Sequence, residues 1–231
     1  MHDVSPVMGA DLPVFCLAPG LGIQPLSDHQ KDGVASNLLE FPEHSGAHVD
    51  APFHFDPHGQ TIEKLAADVL FLRTFKKFDL SVYEPQPGEP VDVDQLIAAA
   101  DRGNFALEDG DVAVLDFGWD RYLPDGEDAR DPSWWGANEP GLTKDACEYL
   151  ATAGVAAVAS DTVACDITLV DGEIRGAPGH TECFLPRGIL IVEGLLGLAA
   201  VPASGLFVAL PLRIAGGTGS PLRVVLLTDQ G

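Results

Sequence analysis

Positive charge is what this chain has least of. Only 13 lysines and arginines stand against 35 aspartates and glutamates, and the formal net charge at pH 7 is −22. Nucleic acids and anionic membranes both attract proteins through a basic surface, so neither is expected as a partner. Cysteine is sparse too. Cys16, Cys147, Cys165 and Cys183 are widely separated and form no Cys-x-x-Cys pair. That argues against a zinc ribbon or a thioredoxin-type motif. In a chain of 231 residues it suits free buried thiols better than a disulfide framework. The N-terminus lacks a basic region followed by an apolar core, so no signal peptide is read and a cytoplasmic location is expected. Residues 194–212 carry no charge, but Gly194, Gly197, Pro202, Gly205 and Pro211 interrupt them. They read as a helix start, a turn and a strand, not as a membrane span. The run Gly216 to Arg223 lacks Gly-Lys-(Ser/Thr), so it is no phosphate-binding loop and reads as a tight turn into a final strand.

What remains is the composition of an ordinary globular protein, 46% hydrophobic and 21% charged. Strand character is read over residues 70–79, 111–117, 155–160, 189–192, 206–212 and 222–227. Residues 93–102 have an amphipathic helical pattern with Leu96, Ile97 and Ala100 on one side. Residues 143–153 read as a helix capped by Thr143, with Gly154 just past its end. Thr61 can cap a short helix over 61–67. Residues 84–90 form a loop. Strands and helices alternate only in part, which favours a mixed α/β domain. No internal repeat or linker is seen, so the expectation is one domain over 1–231.

Histidine is rare but concentrated: of seven, four (His44, His48, His54, His58) fall within residues 44–58. Neutral imidazole and carboxylate are the usual ligands of zinc and similar divalent ions. Side chains at i and i+2 of a strand share a face about 6.6 Å apart, so His48 and Asp50 suit one metal from one strand. His44 and His54 share that parity, but a straight strand would separate them by roughly 33 Å. They reach one cavity only if the chain bends, and Gly46 and Pro52 allow it. The same residues oppose a helix running through to His54. The segment therefore reads as a loop ending in a short strand, followed by a bend. Glu193, after four aliphatic residues, is a further ligand candidate, because an ionised carboxylate at the end of a core strand needs a partner. Trp119, Trp134 and Trp135 lie in the long acidic segment 119–140, and either wall a pocket for a flat substrate or pack within that loop. Asp161 and Asp166 are read as loop braces, and His58 as surface or near the site.

The stretch His44-Ser-Gly46-Ala47-His48-Val-Asp50-Ala-Pro52-Phe-His54 resembles the His-x-Gly-(Thr/Ala)-His-x-Asp-x-Pro-x-His signature of the cyclase-like metal-dependent hydrolases. That family includes bacterial kynurenine formamidase and isatin hydrolase. The likeness continues through His58-Gly59-Gln60-Thr61-Ile62. Asp3-Val4-Ser5, Gly118-Trp119, Pro140-Gly141-Leu142, Asp161-Thr162 with Asp166, Gly188–Glu193 and Gly216–Arg223 are weaker echoes in the same order, so the resemblance spans nearly the whole chain. It implies a single mixed-sheet domain of layered β/β/α, swivelling type. It implies a first metal on His44, His48 and Asp50, with Asp50 bridging to a second held by a late histidine and Glu193. It also implies His54 as the catalytic acid/base. His180 is taken as the late histidine, although its spacing to Glu193 is one residue wider than the family's. A one-residue insertion would account for that; otherwise Glu182 is the ligand, or the second metal is absent.

The resemblance implies one or two zinc or manganese ions per chain, a small-molecule substrate, and a homodimer or homotetramer. The expected reaction is hydrolysis of a non-peptide amide, an aryl formamide such as N-formylkynurenine or a lactam such as isatin. Hydroxide generated at the metal would attack, and His54 would move the protons. The alternatives are a cyclase or dehydratase acting on a polyketide-like carbonyl, and a metal- or ligand-binding protein without turnover. Retention of His54 speaks against the last.

Overall fold

The structure, a computed structural model, describes residues 1–9, 12 and 18–228. Cys16 lies outside them. One nine-stranded mixed sheet organises the chain. Its strands are β1 (His2–Asp3), β2 (His48–Asp50), β3 (Phe71–Asp79), β4 (Val112–Asp116), β5 (Ala157–Ser160), β6 (Leu190–Glu193), β7 (Ser204–Val208), β8 (Gly219–Pro221) and β9 (Val225–Leu227). They lie in the order β1-β9-β7-β3-β4-β5-β6-β2-β8. The central run β3-β4-β5-β6 is parallel, and the flanking pairs on both sides are antiparallel.

The inner parallel strands β4, β5 and β6 are short, mostly apolar runs because both of their faces are covered. In β4, Val112 and Val114 face one apolar cluster while Ala113 and Leu115 face another. β5 and β6 divide the same way, with Ala157, Ala159, Leu190 and Val192 on one side and Val158 and Ile191 on the other. The first side also collects Val49 from β2 and Phe207 and Leu226 from β7 and β9, strands at opposite ends of the order. The sheet therefore curls over onto itself. Two helices cover the second side: α1 (Val93–Gly103) through Leu96, Ala99 and Ala100, and α2 (Lys144–Thr152) through Ala146, Cys147 and Leu150. The result is the layered β/β/α arrangement expected from the resemblance.

The helix caps act as expected, but Ile97, read on the apolar side of α1, is 43% exposed, and Ala99 packs inward with Leu96 and Ala100 instead. Asp92 and Gln95 form a reciprocal capping box on α1. The Thr143 side chain accepts from the Ala146 amide at the start of α2. The expected helix after Thr61 shrinks to one 3-10 turn, Ile62–Lys64. Residues 194–212 give a 3-10 turn, Leu198–Ala200, and then β7. Among the described residues no helix is long and apolar enough to cross a membrane. A separate hairpin, Gly22–Ser27 with Ser36–Glu40, is exposed along almost its whole length.

Candidate metal centre

The centre is built on β2, three buried residues held between β6 and β8. Register decides which side chains meet. Glu193 lies opposite His48 across β6 and β2, and Asp50 lies opposite Ile191. Alternation puts His48 and Asp50 on one face, and direct cross-strand pairing adds Glu193 to it. Before β2, Gly46 turns the chain at φ +63°, and its carbonyl accepts a hydrogen bond from His48 Nδ1 at 2.9 Å. That bond leaves His48 Nε2 facing Asp50 Oδ1 at 3.5 Å and Glu193 Oε2 at 3.4 Å. After β2, a 3-10 turn, Pro52–His54, brings His54 back over the strand. The ring of His54 stacks on that of His44, with centroids 4.0 Å apart, and its Nε2 lies 3.9 Å from Asp50 Oδ2.

His180 arrives from the far side of the sequence. It sits on a wide turn, Gly179–Cys183, closed by a bond from the Phe184 amide to the Gly179 carbonyl. Asp166 fixes its orientation. Oδ1 accepts from His180 Nδ1 at 2.5 Å, and Oδ2 accepts from the Gly179 and His180 amides at 2.6 and 3.1 Å. His180 Nε2 then faces Asp50 Oδ2 at 3.3 Å and Glu193 Oε1 at 3.5 Å. Glu182, the alternative ligand, is at the surface in an ion pair with Lys144. Asp161 accepts from the Phe117 and Trp119 amides, bracing that loop as expected. His58 is exposed.

Sequence reasoning missed the supports of His44. Its Nδ1 lies 2.6 Å from Asp50 Oδ1, and its Nε2 lies 2.9 Å from Thr218 Oγ1. Thr218 donates its hydroxyl to Glu43 Oε2 at 2.6 Å. The adjacent Gly219 leaves no room for a side chain: a Cβ there would lie 2.6 Å from both His44 Cε1 and the Val49 carbonyl. The glycine-rich run read as a turn is thus also a wall of the centre, and β8 lies at the sheet's edge beside β2. Nothing local in the run gave its contact with His44.

The electrostatics are those of a concentrated, desolvated donor set. Burial disfavours the ionised Asp50, but hydrogen bonds from His180 and His44 and the nearby His48 hold it well below the usual carboxylate range. Burial and the Asp50 charge raise Glu193, with His48 and His180 opposing. Burial also disfavours the His48 cation, yet the Glu193 bond and the charges of Asp50 and Glu193 outweigh it and bring His48 to about 9. His180 is raised too, where the pull of Asp166 overcomes burial. His54 goes the other way, to about 4, because burial and the neighbouring imidazoles exceed the attraction of Asp50. It is therefore neutral at pH 7.

The geometry of these residues fits divalent metal. His44, His48 and Asp50 offer ligand atoms all within 4.8 Å of one another, and so do Asp50, His180 and Glu193. Asp50 belongs to both groups. The Nδ1 bonds of His48 and His180 leave each Nε2 directed at carboxylate oxygens, the outer-contact pattern of metal-ligating histidine. Glu193 Oε1 is buried with no hydrogen-bond partner, and an ion is one thing that satisfies such an oxygen. Nitrogen and oxygen donors of this kind suit zinc or manganese.

The cluster lines a cavity of about 420 Å³. The rest of its wall is apolar, with Phe55, Trp135, Val163, Ile167, Ile174 and Leu196 prominent, and no lysine or arginine borders it among the described residues. Of the three tryptophans, Trp135 alone borders this cavity. Trp119 is fully buried and stacks on Trp134 at 6.0 Å, and Trp135 donates its Nε1–H to the Trp119 carbonyl. Of the two readings offered for the tryptophans, the pocket wall holds for Trp135 alone, and Trp119 and Trp134 pack within the loop.

Comparison with known proteins agrees with this geometry. Residues 2–167 match the family described as putative cyclase. The isatin hydrolase of Roseibium aggregatum is 28% identical over 250 residues, covering 99% of this chain and 91% of that protein. The kynurenine formamidase of Salinibacter ruber is 31% identical over 200 residues, covering 86% and 82%. The crystal structure of an isatin hydrolase bound to the product analogue thioisatinate superposes with a TM-score of 0.83 at 26% identity, covering 96% of this chain and 90% of that one.

Proposed function

This chain belongs to the putative cyclase family, and on that premise we propose that it is a metal-dependent hydrolase of small non-peptide amides, acting on an aryl formamide or a lactam. The observation that carries the reading is the pair of ligand groups sharing Asp50 in the wall of an otherwise apolar cavity, with His54 beside them. His44, His48 and Asp50 would hold one ion, and Asp50, His180 and Glu193 a second. Divalent metal bound there supplies Lewis acidity, which lowers the pKa of water toward about 7 and polarises a carbonyl.

The chain's own residues do the rest. His54 is neutral at pH 7 and partly open to the cavity, with a side chain 30% exposed. It can accept a proton at a ring nitrogen from the attacking water and return it to the leaving nitrogen. Its stacking on His44 limits ring rotation, and its Nε2 stays within 3.9 Å of Asp50 Oδ2. Phe55, Trp135 and Ile167 hold an aromatic body and exclude bulk water. With no lysine or arginine in the described wall, an uncharged aryl lactam such as isatin suits it better than a zwitterionic formamide. The cyclase and non-catalytic readings find no comparable support.

The finer assignments follow from the same features. Zinc or manganese is the proposed metal. A homodimer or homotetramer is the proposed assembly, and the hairpin supports it: Ile23, Leu26, Leu38 and Leu39 are about half exposed on two strands that pack little against the body. A cytoplasmic site fits the free thiols Cys147, Cys165 and Cys183. The test is elemental analysis of untagged, chelator-free protein alongside hydrolysis of isatin and an aryl formamide. About two equivalents of metal per chain and turnover of either substrate are expected. No metal and no turnover after zinc or manganese is added back would sink the reading.

A further inference from the structure

The segment Glu139-Pro140-Gly141-Leu142 has no part in the chemistry above, yet Glu139, Gly141 and Leu142 all meet a loop that serves the site in two ways. That loop, residues 163–169, does two things at once. Val163, Ala164 and Ile167 form one wall of the cavity. Asp166 accepts from His180 Nδ1 and from two amides at the start of its turn. The loop has little regular structure of its own, so something outside it must fix its backbone.

The contacts are of three kinds. Glu139 is fully buried, and its Oε2 accepts from the Val163 amide at 2.8 Å and the Ala164 amide at 3.2 Å. Its main chain exchanges a second pair of bonds with Leu169, at 3.0 and 3.1 Å, at the other end of the loop. Between these ends the Leu142 amide donates to the Cys165 carbonyl at 3.1 Å. Gly141 faces the loop backbone so closely that a Cβ would lie 2.9 Å from the Asp166 carbonyl carbon and 3.1 Å from that of Ile167. The other carboxylate oxygen of Glu139, Oε1, is buried without a hydrogen-bond partner. A half-satisfied buried carboxyl is a costly way to fill space, and an apolar side chain would fill it at less cost.

We propose that Glu139 is a positioning residue, and that residues 139–142 are the template that sets the 163–169 loop, coupling the cavity wall to the orientation of His180. This rests on the metal-centre reading, since the property transmitted is how His180 presents Nε2 to Asp50 and Glu193. Loss of the acceptor at position 139 frees two buried amides. The loop must then shift to satisfy them, and Asp166 shifts with it.

The experiment compares Glu139→Gln, Glu139→Asp and Glu139→Ala. Gln keeps an oxygen for both amides, Asp is one methylene too short to reach both, and Ala supplies none. Zinc affinity is measured by competition with a chromophoric chelator. KM and kcat are measured separately on the best amide substrate, and the His180 Nδ1 proton is followed by NMR in metal-free protein. Zinc affinity at the weaker of two sites is expected to fall roughly ten- to a hundredfold in Glu139→Ala, the range for lost outer contacts. KM should rise and the downfield imidazole proton should broaden or move. Gln should restore all three, with Asp between. If Ala does not fold, the Asp and Gln variants carry the comparison. Native affinity, KM and imidazole proton in Ala or Asp would overturn the proposal, and so would a Gln variant as impaired as Ala. Absence of turnover in every form, wild type included, would count against the hydrolase reading, while affinity and NMR would still decide the role of Glu139.

Discussion

Replacing Asp166 by Asn tests the late ligand directly. The carboxylate accepts four hydrogen bonds: Oδ1 from His180 Nδ1 at 2.5 Å and, at 3.6 Å, from Cys165 Sγ, and Oδ2 from the Gly179 and His180 amides at 2.6 and 3.1 Å. Asn has one oxygen and one NH2 group. Turned to satisfy the two backbone amides, it points NH2 at His180 Nδ1, where two donors would face each other. The imidazole escapes by moving its proton to Nε2, and Nε2 is the atom that faces Asp50 and Glu193 at 3.3 and 3.5 Å. Turned the other way, Asn leaves two buried amides facing a donor, at about 1–3 kcal/mol each. The first orientation is the cheaper one. The tautomer then competes with metal, and affinity at the Asp50–His180–Glu193 group should fall ten- to a hundredfold, or ~1.4 to ~2.7 kcal/mol. Calorimetric titration with zinc should show one site near native strength and one weakened, with an unchanged far-ultraviolet circular dichroism spectrum. Two sites of native affinity in a folded variant would refute the tautomer argument.

Three further outcomes are expected. His54→Ala should keep metal content and fold while turnover falls about 10²–10⁴-fold, as read in steady-state assays beside elemental analysis; an unchanged kcat would remove His54 from the mechanism. Gly219→Ala should force a Cβ against His44 and the Val49 carbonyl, costing about 1–3 kcal/mol by denaturant titration and weakening metal binding. Metal-free protein should lose stability as pH rises from about 6.5 to about 9, because His48 titrates at about 9 in the fold against 6.5 unfolded. The folded state binds that proton more tightly, so the contribution is full below the lower value and lost through the upper one. Zinc-loaded protein should lack this slope, since metal takes the imidazoles in their neutral form. A flat melting temperature in chelator-treated protein would contradict the assignment.

Legibility in the sequence followed distance along the chain. His44, His48, Asp50 and His54 declare themselves because one bend brings them together, and Gly46 and Pro52 mark it. Glu193 was readable as a carboxylate closing an aliphatic run. His180 needed the resemblance, and its one-residue excess fits a turn wound with an i to i+5 bond, which holds one residue more than an α-turn. Thr218, Gly219, Glu43 and Glu139 were not readable as supports of the site. Each acts across at least 24 positions of sequence, through strand pairing or loop packing that no local pattern encodes. The tryptophans failed for a related reason: clustering in sequence put them in one region but did not say which ring faces the cavity. The exposed hairpin Gly22–Ser27 with Ser36–Glu40 went unread, its alternation too weak to separate from a loop.

The shared register of β2 and β6 also governs when the centre can exist. His48 and Glu193 are cross-strand neighbours, yet nearly the whole of the chain's middle lies between them. During synthesis His44, His48 and Asp50 leave the ribosome long before their counterpart strand is made. Closing so long a loop is slow, because its entropy is spent before any long-range contact repays it. The early half of the centre therefore has no strand to hold it until late, and the two ligand groups that share Asp50 come together only when β6 closes against β2.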